Sequence, residues 1–268
     1  MKPIVKFTRI VKSNFYLTFV QIIVVLTFSL RLPLITADEV ILVADEWCPF
    51  NCTPNSDKPG FLIELAKYSL AKKGHTVKYI REPWQRAIRQ VRSGEYQGLV
   101  GAAIGDSPEF IFPKQPLISI KNSFYVLKEN NWKYTDIDSL KKINLGIINH
   151  YDYGEDINTY ILANGKNKSL LTTICDDLAA DQLIKLLTRN RIDAFIGVKS
   201  IIEMYGLIAG ESPVIKEVGV LSIQDIYISF SPNHPKSQEY ADAISEGLTE
   251  LRLSGKLEKL LEKYSLLE

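Results

Sequence analysis

The order of apolar segments along the chain limits its fold more strongly than any other feature. Three short apolar runs between residues 40 and 104 alternate with two segments whose apolar residues recur at helical spacing. The same alternation returns between residues 143 and 196. Continuous apolar runs are typical of strands buried on both faces, which belong to parallel sheets. The pattern predicts an α/β protein that contains a β-α-β-α-β unit twice.

The boundaries of both units can be read from the same pattern. Strands are predicted at residues 40–44, 76–80, 99–104, 143–148, 170–175 and 192–196. Helices are predicted from 61 to 73, 84 to 93, 154 to 163 and from a cap at Asp177 to 187. Two extended connections are predicted: residues 123–127 lead from the first unit to the second, and residues 218–221 with 226–230 run back. A helical tail at 237–267 should cover the first unit.

Two such units predict two lobes. We assign residues 38–125 and 224–268 to lobe 1, and residues 126–223 to lobe 2. Lobes of about 100 residues are long enough to hold their own cores. The two connecting segments would then act as a hinge.

The N-terminal 37 residues are predicted to be a signal peptide. Basic residues up to Lys12 precede an uncharged stretch at 13–30, and the segment ends at Ala37 before two acidic residues. Because 18 uncharged residues nearly reach the length of about 20 that spans a bilayer, an uncleaved anchor stays open as the alternative. Either form places the body of the protein in the periplasm.

The composition disfavours nucleic acid, metals and cofactors as binding partners. The chain has 32 Lys and Arg against 31 Asp and Glu, a formal net charge of +1, so nucleic acid is not expected as a partner. Only three His and three Cys are present, and neither a metal nor a cofactor is predicted.

The spacing of Cys48 and Cys52 favours a small disulfide in an exported protein. A metal pair or two free thiols is the alternative reading. The third cysteine, Cys175, has no basic neighbour in sequence and is predicted to be an inert thiol at the end of a strand.

Ligands of open α/β sheets lie beyond the carboxyl ends of the strands. Two facing lobes would therefore form one cleft from the residues that follow each strand. The candidate ligand-binding residues selected in this way are Asp45, Trp47, Phe50, Trp84, Arg86, Ala102, Gly105, Tyr151, Tyr153 and Asp176.

Several of these residues have competing structural explanations. Trp84 lies on the apolar side of its helix, where a core role competes with ligand stacking. Arg86 could instead pair with Glu82 four residues earlier. Trp47 favours ligand contact, since nothing in the periodicity requires a core residue there.

Four segments in this order resemble one known family. They are KPGFLIELA at 58–66, EPWQRA at 82–87, SPEF at 107–110 and RIDA at 191–194. Together they resemble bacterial extracellular solute-binding proteins of family 3, the receptors of polar amino acid ABC importers, over residues 38–264. The resemblance implies a two-lobed, type II periplasmic binding protein fold that closes on a small solute and delivers it to a permease.

The family's ligand anchors are only partly present. Trp47 and Trp84 match its aromatic positions, but Phe110 stands where the family's arginine binds the α-carboxylate. Val198 stands where an acid usually receives the α-ammonium. The hydroxyl residues that usually line the preceding loop correspond to Ala102, Ala103 and Gly105.

These replacements disfavour a standard α-amino acid, because a desolvated carboxylate or ammonium without a partner costs several kcal/mol. Arg86 could donate to a ligand instead. Four acids are available for a cationic group: Asp45, Glu46, Asp152 and Asp176. The aromatic residues favour a flat or amphipathic small molecule.

The sequence therefore predicts a non-catalytic, monomeric periplasmic receptor for a small organic solute, with an ABC permease as its partner. Two alternatives stay open. One is a periplasmic sensory module, and the other is a cyclohexadienyl dehydratase-like enzyme on the same scaffold, which would need an acid or base in the cleft.

Overall fold

The structure is a computed structural model, and it describes residues 37–208 and 215–267. Residues from Ala37 onward form one compact unit. The predicted signal peptide at 1–37 lies outside the described residues, apart from its last residue.

The first half of the chain alternates strands and helices as predicted. Its elements are β1 (Glu39–Ala44), α1 (Phe61–Ala71), β2 (Thr76–Arg81), α2 (Trp84–Ser93), β3 (Gly98–Ala102) and β4 (Ile118–Leu127). A 3₁₀ turn at Ile104–Asp106 lies between β3 and β4, and a 3₁₀ helix at Ile137–Lys142 follows β4.

The second half repeats the alternation and ends in two helices. Its elements are β5 (Leu145–Ile148), α3 (Glu155–Asn164), β6 (Leu171–Ile174), α4 (Ala179–Thr188), β7 (Ala194–Val198), α5 (Lys199–Ile208), β8 (Ile215–Phe230), α6 (Ser237–Leu253) and α7 (Lys256–Lys263).

All eight strands form one sheet in the order β2-β1-β3-β8-β4-β7-β5-β6. Pairing is parallel within β2-β1-β3 and within β7-β5-β6. The two parallel sections are joined by β8 and β4, which pair with their neighbours and with each other in antiparallel fashion. This confirms the α/β fold with two strands passing between its halves.

The apolar side chains divide among three clusters. The largest contains side chains of β1, β3, α1 and α6. The other two lie on opposite faces of the second half of the sheet, because neighbouring residues of a strand point to opposite faces. Phe124 and Ile196 belong to one of them, and Tyr125 and Phe195 to the other.

Several predicted boundaries are wrong. The third strand ends at Ala102 instead of residue 104, because Gly101 has a φ of +84° and the pairing with β8 shifts register there. Asp177 is not the cap of α4, which begins after Leu178. The two segments predicted at 218–221 and 226–230 are parts of the single strand β8, and α5 was not predicted at all.

Cys48 and Cys52 are joined by a disulfide, as predicted. The bridge closes the short loop that follows β1, and the main-chain N–H of Cys52 donates to the oxygen of Pro59, 2.8 Å away. Closing so small a ring contributes only about 2 kcal/mol in the chain-entropy description. Its main effect is to fix the shape of this loop. Cys175 is a free, exposed cysteine after β6.

Gly60 connects this loop to α1 in a conformation that only glycine adopts readily. Its φ is +114° and its ψ is 151°. A Cβ atom at this position would lie 2.4 Å from the main-chain oxygen of Phe50. The loop and the first turn of α1 can therefore pack this closely only because residue 60 has no side chain.

We expect Gly60→Ala to lower the free energy of unfolding by at least about 2 kcal/mol, through backbone strain and overpacking. Gly255→Ala is the matched control, because Gly255 also has a positive φ, +66°, but a Cβ there would meet no atom within 4 Å. Its expected cost is about 1 kcal/mol. Urea unfolding measures both, and equal losses in the two variants would contradict the packing argument.

Candidate ligand-binding site

A cavity lies where the carboxyl ends of β1 and β3 face the loop after β5. It encloses about 340 Å³ of space free of protein atoms, part of it continuous with solvent. Its polar and aromatic lining consists of Asp45, Trp47, Asn51, Trp84, Asp106, Tyr151, Asp152 and Gln224. The position of the cavity agrees with the rule that ligands of such sheets bind beyond the strand ends.

Asp45 follows β1 directly and its side chain is buried, with 2% of the residue exposed. The hydroxyl of Tyr151 donates to its Oδ2 atom at 2.7 Å and links the end of β1 to the loop after β5. Burial raises the pKa of Asp45 to about 7, and the nearby carboxylates of Asp177 and Glu46 act in the same direction. The hydrogen bond from Tyr151 opposes that rise but does not cancel it.

Asp106 closes the 3₁₀ turn after β3 and also reaches the loop after β5. Its Oδ2 accepts from the N–H of Ala103 at 2.8 Å, and its Oδ1 accepts from the N–H of Asp152 at 3.1 Å. Loss of solvation raises the pKa of Asp106 to about 7 despite these two hydrogen bonds. The cavity thus holds two carboxyl groups that resist ionisation.

Asp152 is held rigidly in its loop. Its Oδ1 accepts from the N–H of Gly154 at 3.0 Å and from the side-chain amide of Asn158 at 2.7 Å. Its Oδ2 packs against Gly105 so closely that a Cβ on that glycine would lie 1.8 Å away. Gly105 therefore permits the contact between the two loops.

Three aromatic rings complete the wall of the cavity. The rings of Trp84 and Tyr151 meet edge to face with centroids 5.5 Å apart. The ring of Trp47 lies against Phe50, with centroids 4.3 Å apart, and only 8% of Trp47 is exposed. Although the periodicity does not require a core residue at this position, Trp47 packs in the core and also lines the cavity.

An ionic cluster adjoins the cavity where β2 ends. Arg81 forms ion pairs with Glu46 and, at 2.9 Å, with Asp177. The main-chain N–H of Glu46 also donates to the oxygen of Asp177 at 2.8 Å. The loops after β1 and β6 are therefore joined directly, as are those after β1 and β5.

A second, mainly apolar cavity adjoins the first. Trp47 and Tyr151 line both of them. Tyr153, Val198 and aliphatic side chains of α4 and α5 form the rest of its wall. Its space free of protein atoms is about 410 Å³, part of it continuous with solvent. An acidic compartment and an apolar compartment thus share two aromatic side chains.

The sequence of the chain also matches the model of a known protein family. The model of the bacterial extracellular solute-binding proteins, family 3, matches residues 40–267. The chain belongs to this family. A search of curated proteins finds no match.

Solved structures with the same fold include binding proteins and a sensor domain. A histidine kinase sensor domain with similarity to periplasmic binding proteins has a TM-score of 0.69 at 16% identity, covering 84% of this chain and 95% of its own. An ancestral arginine-binding protein bound to arginine has a TM-score of 0.67 at 18% identity, with 86% and 99% covered. An ancestral amino acid-binding protein, a precursor of cyclohexadienyl dehydratase, has a TM-score of 0.63 at 16% identity, with 85% and 95% covered. These likenesses show the type II periplasmic binding protein fold.

The structure brings four of the predicted site residues together around the acidic cavity: Asp45, Trp47, Trp84 and Tyr151. Tyr153 lines the apolar cavity, and its hydroxyl accepts from the N–H of Ile148 at 2.8 Å.

Other predicted residues lie elsewhere. Phe50 is buried behind Trp47, and Ala102 is buried in β3, so neither lines the acidic cavity. Arg86 is 56% exposed at its side chain and pairs with Glu82 at 2.9 Å, which is the alternative explanation of this residue. Asp176 lies with Arg86 in a separate surface recess, where its Oδ1 accepts from the N–H of Leu178.

Sequence reasoning did not select Asn51, Asp106 or Gln224 as site residues. Asp106 ends the segment 102–106, which the strand-end rule does place at the cleft, but no motif distinguishes it within that segment. Gln224 lies in β8 beside other polar residues, among them Ser222 and Asp225, so the sequence does not distinguish it. Asn51 lies between the two bridged cysteines and carries no separate signal.

Within residues 37–208 and 215–267, no cluster of His, Cys, Asp and Glu side chains has a geometry that could hold a metal ion. In the same residues, no helix combines the length and apolar character that crossing a membrane requires.

The raised pKa of Asp45 predicts a pH-dependent effect of removing its charge. Between its ordinary value of 3.8 and about 7, the folded protein retains a proton that the unfolded chain has released, so ionisation destabilises the fold as pH rises. Asp45→Asn cannot ionise. We expect its melting temperature, relative to the unsubstituted protein, to increase as pH rises from about 4 to about 7.

Differential scanning calorimetry without added ligand measures this difference. Asp57→Asn is the control, because Asp57 is exposed in the loop after Cys52 and its replacement should produce no comparable trend. A difference for Asp45→Asn that is constant across this range would contradict the assigned pKa.

Proposed function

We propose that this protein is a periplasmic, non-catalytic receptor that holds a small organic solute between two lobes and presents it to an ABC-type importer. The observation that carries the proposal is the convergence of three strand ends on one cavity, with the Tyr151–Asp45 hydrogen bond crossing it. Family membership supports the same class of function.

The proposed lobes comprise residues 38–125 with 224–268, and residues 126–223. The largest apolar cluster draws mainly on the first of these parts and the other two on the second, which supports this division, although Val198 and Ile201 of the second part belong to the largest cluster. β4 and β8 would then form the hinge. Export through a signal peptide at 1–37, a monomeric state and an inner-membrane permease as partner belong to the same proposal.

The site supports an amino acid-like or other polar, partly aromatic solute more than a standard α-amino acid. Phe110 is buried, and the guanidinium of Arg92 lies over its ring, 5.7 Å from the centroid. Arg92 in turn binds Glu109 at 2.6 Å, so it is already paired with an acid. Val198 is an apolar wall residue of the second cavity.

Two other functions have specific support. The sensor domain of a histidine kinase shares this fold, which favours a sensory module as the alternative. A dehydratase-like enzyme needs a group that holds a proton near neutral pH, and Asp45 and Asp106 have pKa values of about 7. Asp45 accepts from the hydroxyl of Tyr151, and among the described residues no Ser, Cys, His or Lys side chain forms a hydrogen bond with either carboxyl group.

Identification of the natural solute tests the binding protein against the enzyme. We expect mass spectrometry of denatured protein to detect a released small molecule, and the same molecule to raise the melting temperature of ligand-free protein, as mass action requires. A receptor returns the molecule unchanged after incubation. Consumption of the molecule by native protein would contradict the receptor and support the enzyme.

A further inference from the structure

The acidic cavity has an unbalanced set of charges. Asp45, Asp106 and Asp152 line it, and each comes from a loop that follows a different strand or turn. Among the described residues that line this cavity, none is Lys, Arg or His. Carboxylates gathered in a site of low dielectric favour a cation in the space between them.

The amide of Asn51 adds an independent observation. Only 1% of Asn51 is exposed, and its Nδ2 donates to the main-chain oxygen of Asp45 at 2.7 Å. Its Oδ1 is buried and has no hydrogen-bond partner among the described residues. This oxygen faces Gly101 in the cavity wall, where a Cβ would lie 3.2 Å from it. A buried acceptor without a donor is unfavourable, and a ligand N–H would satisfy it.

Three arginines near the cleft are already paired with acids, and Arg89, which shares the separate surface recess with Arg86, does not line the acidic cavity. Arg81 binds Glu46 and Asp177, Arg86 binds Glu82, and Arg92 binds Glu109. A ligand carboxylate in this cavity would therefore face carboxyl groups without a cationic partner, an arrangement that like charges oppose.

The aromatic residues of the cavity indicate the other chemical features that a ligand would have. Trp47, Trp84 and Tyr151 present rings to the cavity, and such rings attract cations. Trp47 and Tyr151 continue into the apolar cavity, which suits an apolar ligand body. The buried indole N–H of Trp84 has no partner among the described residues. One neutral donor suits a hydroxyl or carbonyl oxygen, but it does not balance the charge of a carboxylate.

We propose that the solute is a small organic cation with N–H donors, a primary amine or a guanidinium, that carries no carboxylate. Its cationic group lies among Asp45, Asp106 and the side-chain oxygen of Asn51. This inference rests on the proposed function, because it names the class of solute for the same cleft. A quaternary ammonium is a poorer fit, since it cannot donate to the Asn51 oxygen.

Pairs of compounds that differ only by a carboxylate test the inference. The probes are agmatine with L-arginine, cadaverine with L-lysine, and tryptamine with L-tryptophan, titrated by calorimetry into ligand-free protein at pH 8. We expect at least one amine to bind, and to bind at least tenfold more tightly than its amino acid. The released solute should be a cation without a carboxylate by mass spectrometry.

Two variants locate the site. Asp45→Asn and Asp106→Asn should each weaken binding of the amine at least tenfold, because each replaces a charge-assisted hydrogen bond with a neutral one. Asp138→Asn is the control, because the Asp138 side chain is 74% exposed and pairs with Lys141 on a 3₁₀ turn. Its affinity should be unchanged. Melting curves confirm that each variant is folded.

The outcomes separate this inference from the proposed function. Tighter binding of the amino acid in every pair, or a released solute that carries a carboxylate, would overturn the cation assignment and leave the receptor intact. Unchanged affinity in both variants would also overturn it. Absence of both a released solute and any binding among the six probes would count against the receptor and the cation together.

Discussion

The burial of the Asp45 carboxyl group at the end of β1 is the constraint on which the cleft depends. A carboxylate removed from water is unfavourable unless hydrogen bonds or a cation stabilise it. Tyr151, 106 residues later in the chain, supplies one hydrogen bond and thereby joins the first strand to the loop after β5. The same carboxyl group contributes to the negative potential of the cavity. A cation bound beside it would stabilise its ionised form.

The alternation of strands and helices could be predicted because burial on both faces leaves a continuous apolar run for each inner strand. Leu99 and Val100 signalled β3 in this way. The end of that strand could not be predicted, since Gly101 turns the chain through a backbone conformation that hydrophobicity does not encode. α5 escaped prediction because Lys199 begins it directly after β7, with no intervening turn residues.

The candidate site could be predicted only as far as the strand ends determine it. Asp45 and Tyr151 follow strands, and the topology brings those strand ends together. Arg86 also follows a strand, but its position in α2 allows an ion pair with Glu82, four residues earlier. That local ion pair forms in place of a contact with the cavity. Asn51 depends on the shape of a loop closed by a disulfide, and such a shape is not visible in local sequence patterns.

The sixteen-residue strand β8 has a mechanical consequence. It pairs with β3 through Tyr227–Phe230 and with β4 from Ile215 to Ile226, so the backbone that connects the two halves is itself part of the ladder. In the proposed two-lobe motion, the halves would therefore separate by twisting of continuous strands, and not by rotation about a flexible linker. Torsion is easiest where the ladder is interrupted, at Asn122/Ser123 and Val100/Ala102. The twist of the sheet would then set the equilibrium separation of the two halves, and the sheet would resist departures from it elastically.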